Sequence, residues 1–355
     1  MKGLETEIKK IAEKLMETEG KRRRVAELLK SMDAGVKLFH ICGSHGLKNE
    51  KIAAIDGGLV KKSFHGIDSL LVRTACACFF YNNGKIRKVE YFPSKSPTPV
   101  PHIQESLSDI DWAYFTSVIR QKAEVETAIE CLNRFEPDML LMDGPIVPHH
   151  SEKPSASSPV FPAFQELVNS CKCLHRDVEK RGVLFAGIVE DSRSNRFCGI
   201  VRDVVVVLAR DSAMENSDVL EKSRDTPFLS LLLDKNERTL VFSLAKNPAE
   251  HPVLKDFENA NSFYSFYLRT AAFDRPVRVD FIKSGELGAY PDSLASLLLA
   301  ISGQNPHYGF PSPLIEADNV AKLPEEEMEN FYYRLLRHIG NTPSIMRLRR
   351  EERPF

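Results

Sequence analysis

The chain has 355 residues, 43% hydrophobic and 27% charged, and its 48 basic and 49 acidic side chains leave a formal net charge of −1. That length and apolar content suit one large domain or two ordinary ones with a substantial core, and the balanced charge gives no global sign of a nucleic-acid partner, whose footprint would be a local basic surface. The longest apolar runs, Val204 to Ala209 and Leu297 to Ile301, fall far short of the ~20 residues that cross a bilayer, and the opening MKGLETEIKK lacks the apolar core of a secretion signal, so a cytoplasmic location is expected.

Ile8, Ile11, Leu15, Val25, Leu28 and Leu29 recur at helical spacing over residues 2–32, with an interruption expected near Gly20. Residues 1–35 therefore read as an N-terminal helical arm or hairpin, ahead of one domain over 36–355. After a short apolar run, Val36 to Cys42, the stretch IAAIDGGLVKK from Ile52 to Lys62 reads as a buried strand that delivers Asp56 to Gly57 and Gly58. Glycine there leaves the backbone open to a phosphate or a metal. LLVRTACACFFY and KIRKVEYF, joined by the hairpin signal Asn82-Asn83-Gly84, complete an antiparallel meander. Cys76 and Cys78 alternate toward one face of it and read as small core fillers. The seven cysteines are odd in number and scattered over a chain too large to need staples, so no disulfide framework is expected, and neither C-x-C pair has zinc-knuckle spacing.

SKSPTPVPH, residues 94–102, is too proline-rich for a helix or a central strand. Val118 to Phe135 has helical periodicity with Glu124, Glu126 and Glu130 interleaved, and beyond Pro137 the run MLLMDG repeats the earlier device, ending in Asp143 before Gly144. Residues 145–162, rich in Pro, Ser and His, read as a mobile loop beside the site. A helix over 164–180 leads to a third apolar run, GVLFAGIVED, which ends in Glu190 and Asp191 and is followed by a polar turn carrying Arg193 and Arg196. CGIVRDVVVVLAR fits a strand by its β-branching and a helix by its place, and both remain open. Residues 237–244 read as strand, FYSFYLRTAAF with VRVDFIK as a hairpin or a pair of edge strands, and 294–301 as helix. GFPSP is a rigid turn that places Pro313 at a helix start and Asp318 in its second turn.

Two strand-borne aspartates, each followed by glycine, suggest a shared metal site. Phosphodiester hydrolysis by divalent ions ~4 Å apart needs several carboxylates converging from different elements, because hard cations take oxygen ligands. Asp56, Asp143, a glutamate of the 124–126 helix and Asp318 are the candidates. Among 49 acids some follow apolar runs by chance, so the glycine-flanked pair carries this reading. Lys61, beside the Asp56 strand, is a candidate for contact with a DNA backbone. Trp112, Tyr114 and Phe115 could stack on unpaired bases, but core packing is the simpler reading, and His149 with His150 reads as an exposed loop pair.

In order and spacing, DGG after a buried strand, MLLMDG, GIVEDSRSNRF and GFPSPLIEAD resemble the NurA nuclease family along nearly the whole chain. The resemblance implies an α/β fold with an RNase H-like core, a mixed sheet with flanking helices, and extra β-hairpin elements. It also implies Mn2+-dependent (or Mg2+-dependent) 5′ to 3′ exonuclease and single-strand endonuclease action on single- and double-stranded DNA. A homodimer and a hexameric HerA-type translocase would be its partners in end resection and double-strand-break repair. On this basis Asp56 and Asp143 match two metal acids, and the helix acid falls on Glu124 or Glu126. Phe310 and Asp318 stand where many relatives have tyrosine and histidine. Glu190 replaces a lysine common in relatives, so a phosphate-steadying role would pass to Arg193 or Arg196. These departures motivate two other readings, a non-catalytic DNA-binding adaptor of the translocase and a metal phosphoesterase acting on small phosphates.

Overall fold

The computed structural model describes residues 2–31, 38–44, 46–208, 214–340 and 342–349. Helix α1 (Lys2–Ser31) runs through Gly20 without the expected interruption. A helical glycine costs ~1 kcal/mol; a 2.6 Å Glu17–Lys21 ion pair spans it, and a hydrogen bond from Arg22 to Ser223 ties the helix down just beyond it. The second half of α1 buries Val25, Ala26 and Leu29, while Leu4, Ile8, Ile11 and Leu15 stay exposed. The expected boundary at residue 35 lies outside the described residues.

Strand β1 (Phe39–Ile41) precedes the expected meander of β2 (Lys51–Ser63), β3 (Ile67–Asn82) and β4 (Lys85–Phe92), which pair antiparallel. At the β3–β4 turn Asn83 and Gly84 adopt φ of 48° and 77°, the left-handed pair that a two-residue hairpin requires. The proline-rich segment departs from expectation: β5 (Val100–Glu105) pairs with the first half of β3. Pro101 is tolerated because β5 is an edge strand off the main path.

Helix α2 (Asp109–Phe135) starts at Asp109 rather than Val118 because the Ser108 hydroxyl caps it, accepting the Asp111 N–H at 3.1 Å. After β6 (Met139–Asp143), the segment expected to be a mobile loop contains a 3-10 turn at His150–Glu152 and buries Ile146, Val147 and Val160. Glu152 accepts hydrogen bonds from Ser117 and Gln121 of α2 at 2.7 and 2.8 Å, which ties it down. Then come α3 (Phe161–Arg181) and β7 (Leu184–Val189).

The ambiguous β-branched run is helical, as α4 (Arg196–Leu208). The buried Asp225 carboxylate accepts the backbone N–H groups of Phe197 and Cys198, satisfying helix-start donors from outside the helix. The remaining elements are α5 (Met214–Glu221), α6 (Asp225–Leu232), β8 (Glu237–Thr239), β9 (Phe242–Ser243), β10 (Phe263–Leu268), β11 (Val277–Ile282), α7 (Tyr290–Ile301), α8 (Ser312–Ala321) and α9 (Glu325–Ile339). The single strand expected over 237–244 is thus two short ones, and β10 with β11 forms the expected hairpin.

Among the described residues the main path of the sheet runs β1-β8-β10-β11-β7-β6-β2-β3-β4. Its centre, β7-β6-β2, is parallel and the flanks are antiparallel. Ala53, Ile55, Leu140 and Met142 pack under α2 and α3, while Ile52, Ala54, Leu141 and Ile188 pack under α7 and α8. Covering both faces explains why these strands are near-continuous apolar runs. The protein is therefore α/β, with an RNase H-like mixed sheet between helical layers. A third cluster joins α1 to α4, α5 and α6.

Candidate metal centre

Strands β2 and β6 are parallel neighbours with Ile55 beside Met142, so the next residues, Asp56 and Asp143, stand side by side where β6 ends. Successive strand residues face opposite sides: Asp56 shares the α8 side with Ala54, and Gly57 shares the α2 side with Ile55. The two glycines let both helices approach. A Cβ on Gly57 would lie 2.5 Å from the Glu124 Oε1 of α2, and one on Gly58 would lie 2.3 Å from the Ala321 carbonyl oxygen at the end of α8. Asp318, one turn back along α8, lies near enough for its charge to act on Asp56.

These carboxylates act on one another. Burial, with the Asp56 and Asp143 charges adding to it and Arg120 opposing, pushes Glu124 up to about 8. Burial and then the Asp56 charge push Asp143 up to about 7. Asp56 is raised by burial and by the Asp318 charge, against the Gly57 N–H, which it accepts at 2.7 Å. The guanidinium facing the cluster is Arg120, whose Nη1 lies 2.5 Å from Glu124 Oε1 and whose charged form is favoured by Glu124, Asp56, Glu152 and Asp143.

The geometry separates the two helix glutamates. Two positions along a helix is about 200° of rotation: Glu124 is buried against the sheet, while Glu126 is 56% exposed and sits 3.8 Å from Lys122 on the outer face. Glu126 is therefore not gathered with the other acids. Nor are the expected cations. Lys61 is exposed on β2 beyond the glycines, Arg193 is exposed with its carbonyl accepting from Arg224, and Arg196 is half-buried with no partner at Nε. Among the described residues no hydrogen bond or ion pair joins these three to the acids. Arg120 is not singled out by the sequence motifs; its position four residues before Glu124, one helical turn away, is the signal that marks it.

Tyr308 was also missed. Phe310 is buried in the α7–α8 core, whereas Tyr308, stacked on it at 6.0 Å, turns its hydroxyl to Glu190. Burial and the charges of Glu190, Asp143 and Asp318 push Tyr308 up to about 12. The segment carrying Glu190 is held by a buried network in which the Ser192 hydroxyl meets Tyr267 at 3.0 Å and Tyr267 donates to Asp225 at 2.9 Å. Trp112 and Phe115 are buried and stacked on each other, as core packing requires.

The donor set is all oxygen, repulsive and partly desolvated, which fits a hard divalent cation. Among the described residues no three His, Cys, Asp or Glu side chains already form a metal-binding group, so loading requires these carboxylates to turn inward and shed protons. Glu124 and Asp143 have folded pKa values above their unfolded ones, so their contribution is fully present below pH ~4 and is lost as pH rises through 7 to 8. Thermal unfolding in EDTA is expected to show the melting temperature falling from about pH 5 to about pH 8 and levelling above, with a smaller fall in Glu124→Gln. Divalent metal should remove that difference, because it takes the deprotonated ligands. Glu126→Gln is expected to keep cleavage within about twofold of wild type, whereas Glu124→Gln should lose at least about a hundredfold, as steady-state rates would show.

The sequence profile of the NurA domain matches residues 50–323. The NurA nuclease from Sulfolobus solfataricus superimposes with a TM-score of 0.56 at 17% identity, over 94% of this chain and 99% of that one. A NurA bound to dAMP and manganese gives 0.54 at 12% identity, over 96% and 98% of the two chains. A NurA with manganese gives 0.51 at 12% identity, over 96% and 100%. At these identities the likeness is one of fold. No curated protein matches the sequence. Among the described residues no helix is long and apolar enough to cross a membrane.

Proposed function

Because the chain belongs to the NurA family, we propose that it is a divalent-metal-dependent DNA nuclease whose centre is built from Asp56, Glu124, Asp143 and Asp318. The observation that carries this reading is that carboxylates from β2, α2, β6 and α8 act on one another where Gly57 and Gly58 let α2 and α8 approach the sheet. Solved NurA structures that hold manganese support Mn2+ as the cofactor, with Mg2+ as the other candidate. Bound divalent ions would polarise the scissile phosphate and lower the pKa of an attacking water.

The chain's own residues have distinct tasks. The four acids hold the cations. Arg120, which balances Glu124 when no cation is bound, is free to pair with a non-bridging phosphate oxygen once the acids are otherwise neutralised. The Tyr308 hydroxyl, with its proton held firmly, donates to an oxygen at the same site. Lys61, Arg193 and Arg196 contact the DNA backbone farther out.

The finer reading is 5′ to 3′ exonuclease and single-strand endonuclease activity in end resection and double-strand-break repair, in the cytoplasm. We assign the arm over 1–35 and the exposed stripe Leu4, Ile8, Ile11 and Leu15 to contacts with a second copy and with a HerA-type hexameric translocase, ahead of the nuclease domain over 36–355. The intact pair Asp56 and Asp143 argues against the non-catalytic adaptor. Salt-sensitive binding of long DNA would argue against the small-phosphate phosphoesterase.

The test is cleavage of end-labelled single- and double-stranded DNA with Mn2+, Mg2+ or EDTA, with and without a HerA-type translocase. Manganese-dependent products, with the released label reading the polarity, are expected. Silence with both metals and with the translocase present would overturn the nuclease reading.

A further inference from the structure

We infer that Phe273 and His307 form a stacking platform for an unpaired nucleobase at the rim of the acid cluster. The inference rests on the nuclease reading for its ligand and on geometry for its place. Phe273 is 71% exposed, among the most exposed large apolar side chains described, and its ring lies nearly parallel to the exposed His307 ring, 22° apart with centroids at 5.1 Å. An exposed flat ring backed by a second ring is a surface that a base can cover.

The pair is held rigidly by its own loops. Phe273 N–H donates to the Pro306 carbonyl at 2.9 Å, Gly309 N–H donates to Asp274 at 2.7 Å, and the Thr270 hydroxyl donates to the Gly309 carbonyl at 2.5 Å. Asn305 and Tyr308 bridge across the second loop. A Cβ on Gly303 would meet the Thr270 carbonyl oxygen at 2.7 Å, so the two loops are in close backbone contact. A platform ordered before binding loses little entropy when it is covered.

Two connections aim the platform at the acids. Tyr308, next to His307, stacks at 6.0 Å on Phe310, which is buried against Leu314 and Ala317 of α8, the helix that carries Asp318. Arg275, two residues beyond Phe273, pairs with Asp191 at 2.9 Å and lies 3.8 Å from Glu190. Both loops therefore end at the rim where β7 meets β6, and a strand whose phosphate lies among the acids has a base within reach of the rings. A base inside a duplex presents no free face, so the platform favours single strands and frayed ends. Stacking tolerates any base, so the preference is for unpaired structure and not for sequence.

The test uses the full chain and single-stranded oligonucleotides carrying 2-aminopurine at successive positions, with Ca2+ to allow binding without turnover and Mn2+ for cleavage. Wild type and Phe273→Tyr are expected to quench one position, while Phe273→Ala and Phe273→Leu lose the quench. With Mn2+, KM for single strands should rise by about tenfold in Phe273→Ala, with kcat within about twofold and smaller changes on blunt duplex. The Leu variant separates a flat ring from simple apolar bulk. Unchanged quenching and KM in an active Phe273→Ala protein would overturn the platform and leave the nuclease reading standing. Loss of self-association in Phe273→Ala by light scattering, without a KM change, would overturn it by making the pair a contact between copies. No cleavage by wild type under any metal is the separate failure of the nuclease reading, and absence of quenching in that protein would remove the platform as well.

Discussion

Asp56→Asn is expected to lower manganese-dependent cleavage by on the order of a thousandfold, the equivalent of several kcal/mol of lost transition-state charge stabilisation. The same substitution should leave the metal-free protein at least as stable as wild type. Asp56 is buried, its charge raises the pKa of both Glu124 and Asp143, and among the described residues its carboxylate accepts one backbone N–H, that of the adjacent Gly57. Removing that charge relieves repulsion, and the amide oxygen still accepts the N–H. Loss of activity together with an unchanged or higher melting temperature in EDTA would mark an acid kept for chemistry at the expense of the fold. If the variant instead melts lower and keeps its activity, Asp56 is a structural residue and the proposed centre is misassigned.

The second large effect divides between adjacent glycines. A Cβ at Gly57 meets the end of a side chain, Glu124 Oε1 at 2.5 Å, whereas at Gly58 it meets backbone, the Ala321 carbonyl oxygen at 2.3 Å. A side chain can swing aside, but a helix end cannot. Gly57→Ala should therefore cost little stability and displace one ligand, with cleavage falling about a hundredfold, as ~1 Å misplacements do. Gly58→Ala should force the end of α8 away from β2, costing roughly 1–3 kcal/mol as other overpacked sites do and carrying Asp318 with it. Denaturation curves read beside cleavage rates test the pair. Equal melting temperatures for the two variants would mean that α8 is not held against β2 as described.

Much of this was legible in the sequence. The runs ending in Asp56 and Asp143 are buried parallel neighbours, because strands covered on both faces are apolar throughout and can change character only where they emerge. The Asn83-Gly84 turn and the Pro313 helix start follow from backbone chemistry alone. What could not be read depended on partners far along the chain. Glu124 and Glu126 are equivalent as sequence, and only the orientation of α2 on the sheet decides between them. α4 is a helix because Asp225 caps it from another element. Pro101 sits in a strand because that strand lies at an edge. Arg120 and Tyr308 gain their roles from charges that meet only after folding, whereas the polar turn at Arg193 and Arg196 is visible in the sequence but, among the described residues, makes no hydrogen bond or ion pair to the acids.

In the proposed centre, four carboxylates from four elements form one cation site. The most direct measurement is a Mn2+ titration of the full chain followed by electron paramagnetic resonance of the free ion, at pH 8, for wild type, Asp143→Asn and Glu126→Gln. One or two ions bound per chain by wild type and Glu126→Gln, with binding weakened by at least about tenfold in Asp143→Asn, is the predicted result. Equal stoichiometry and affinity in all three proteins would contradict it.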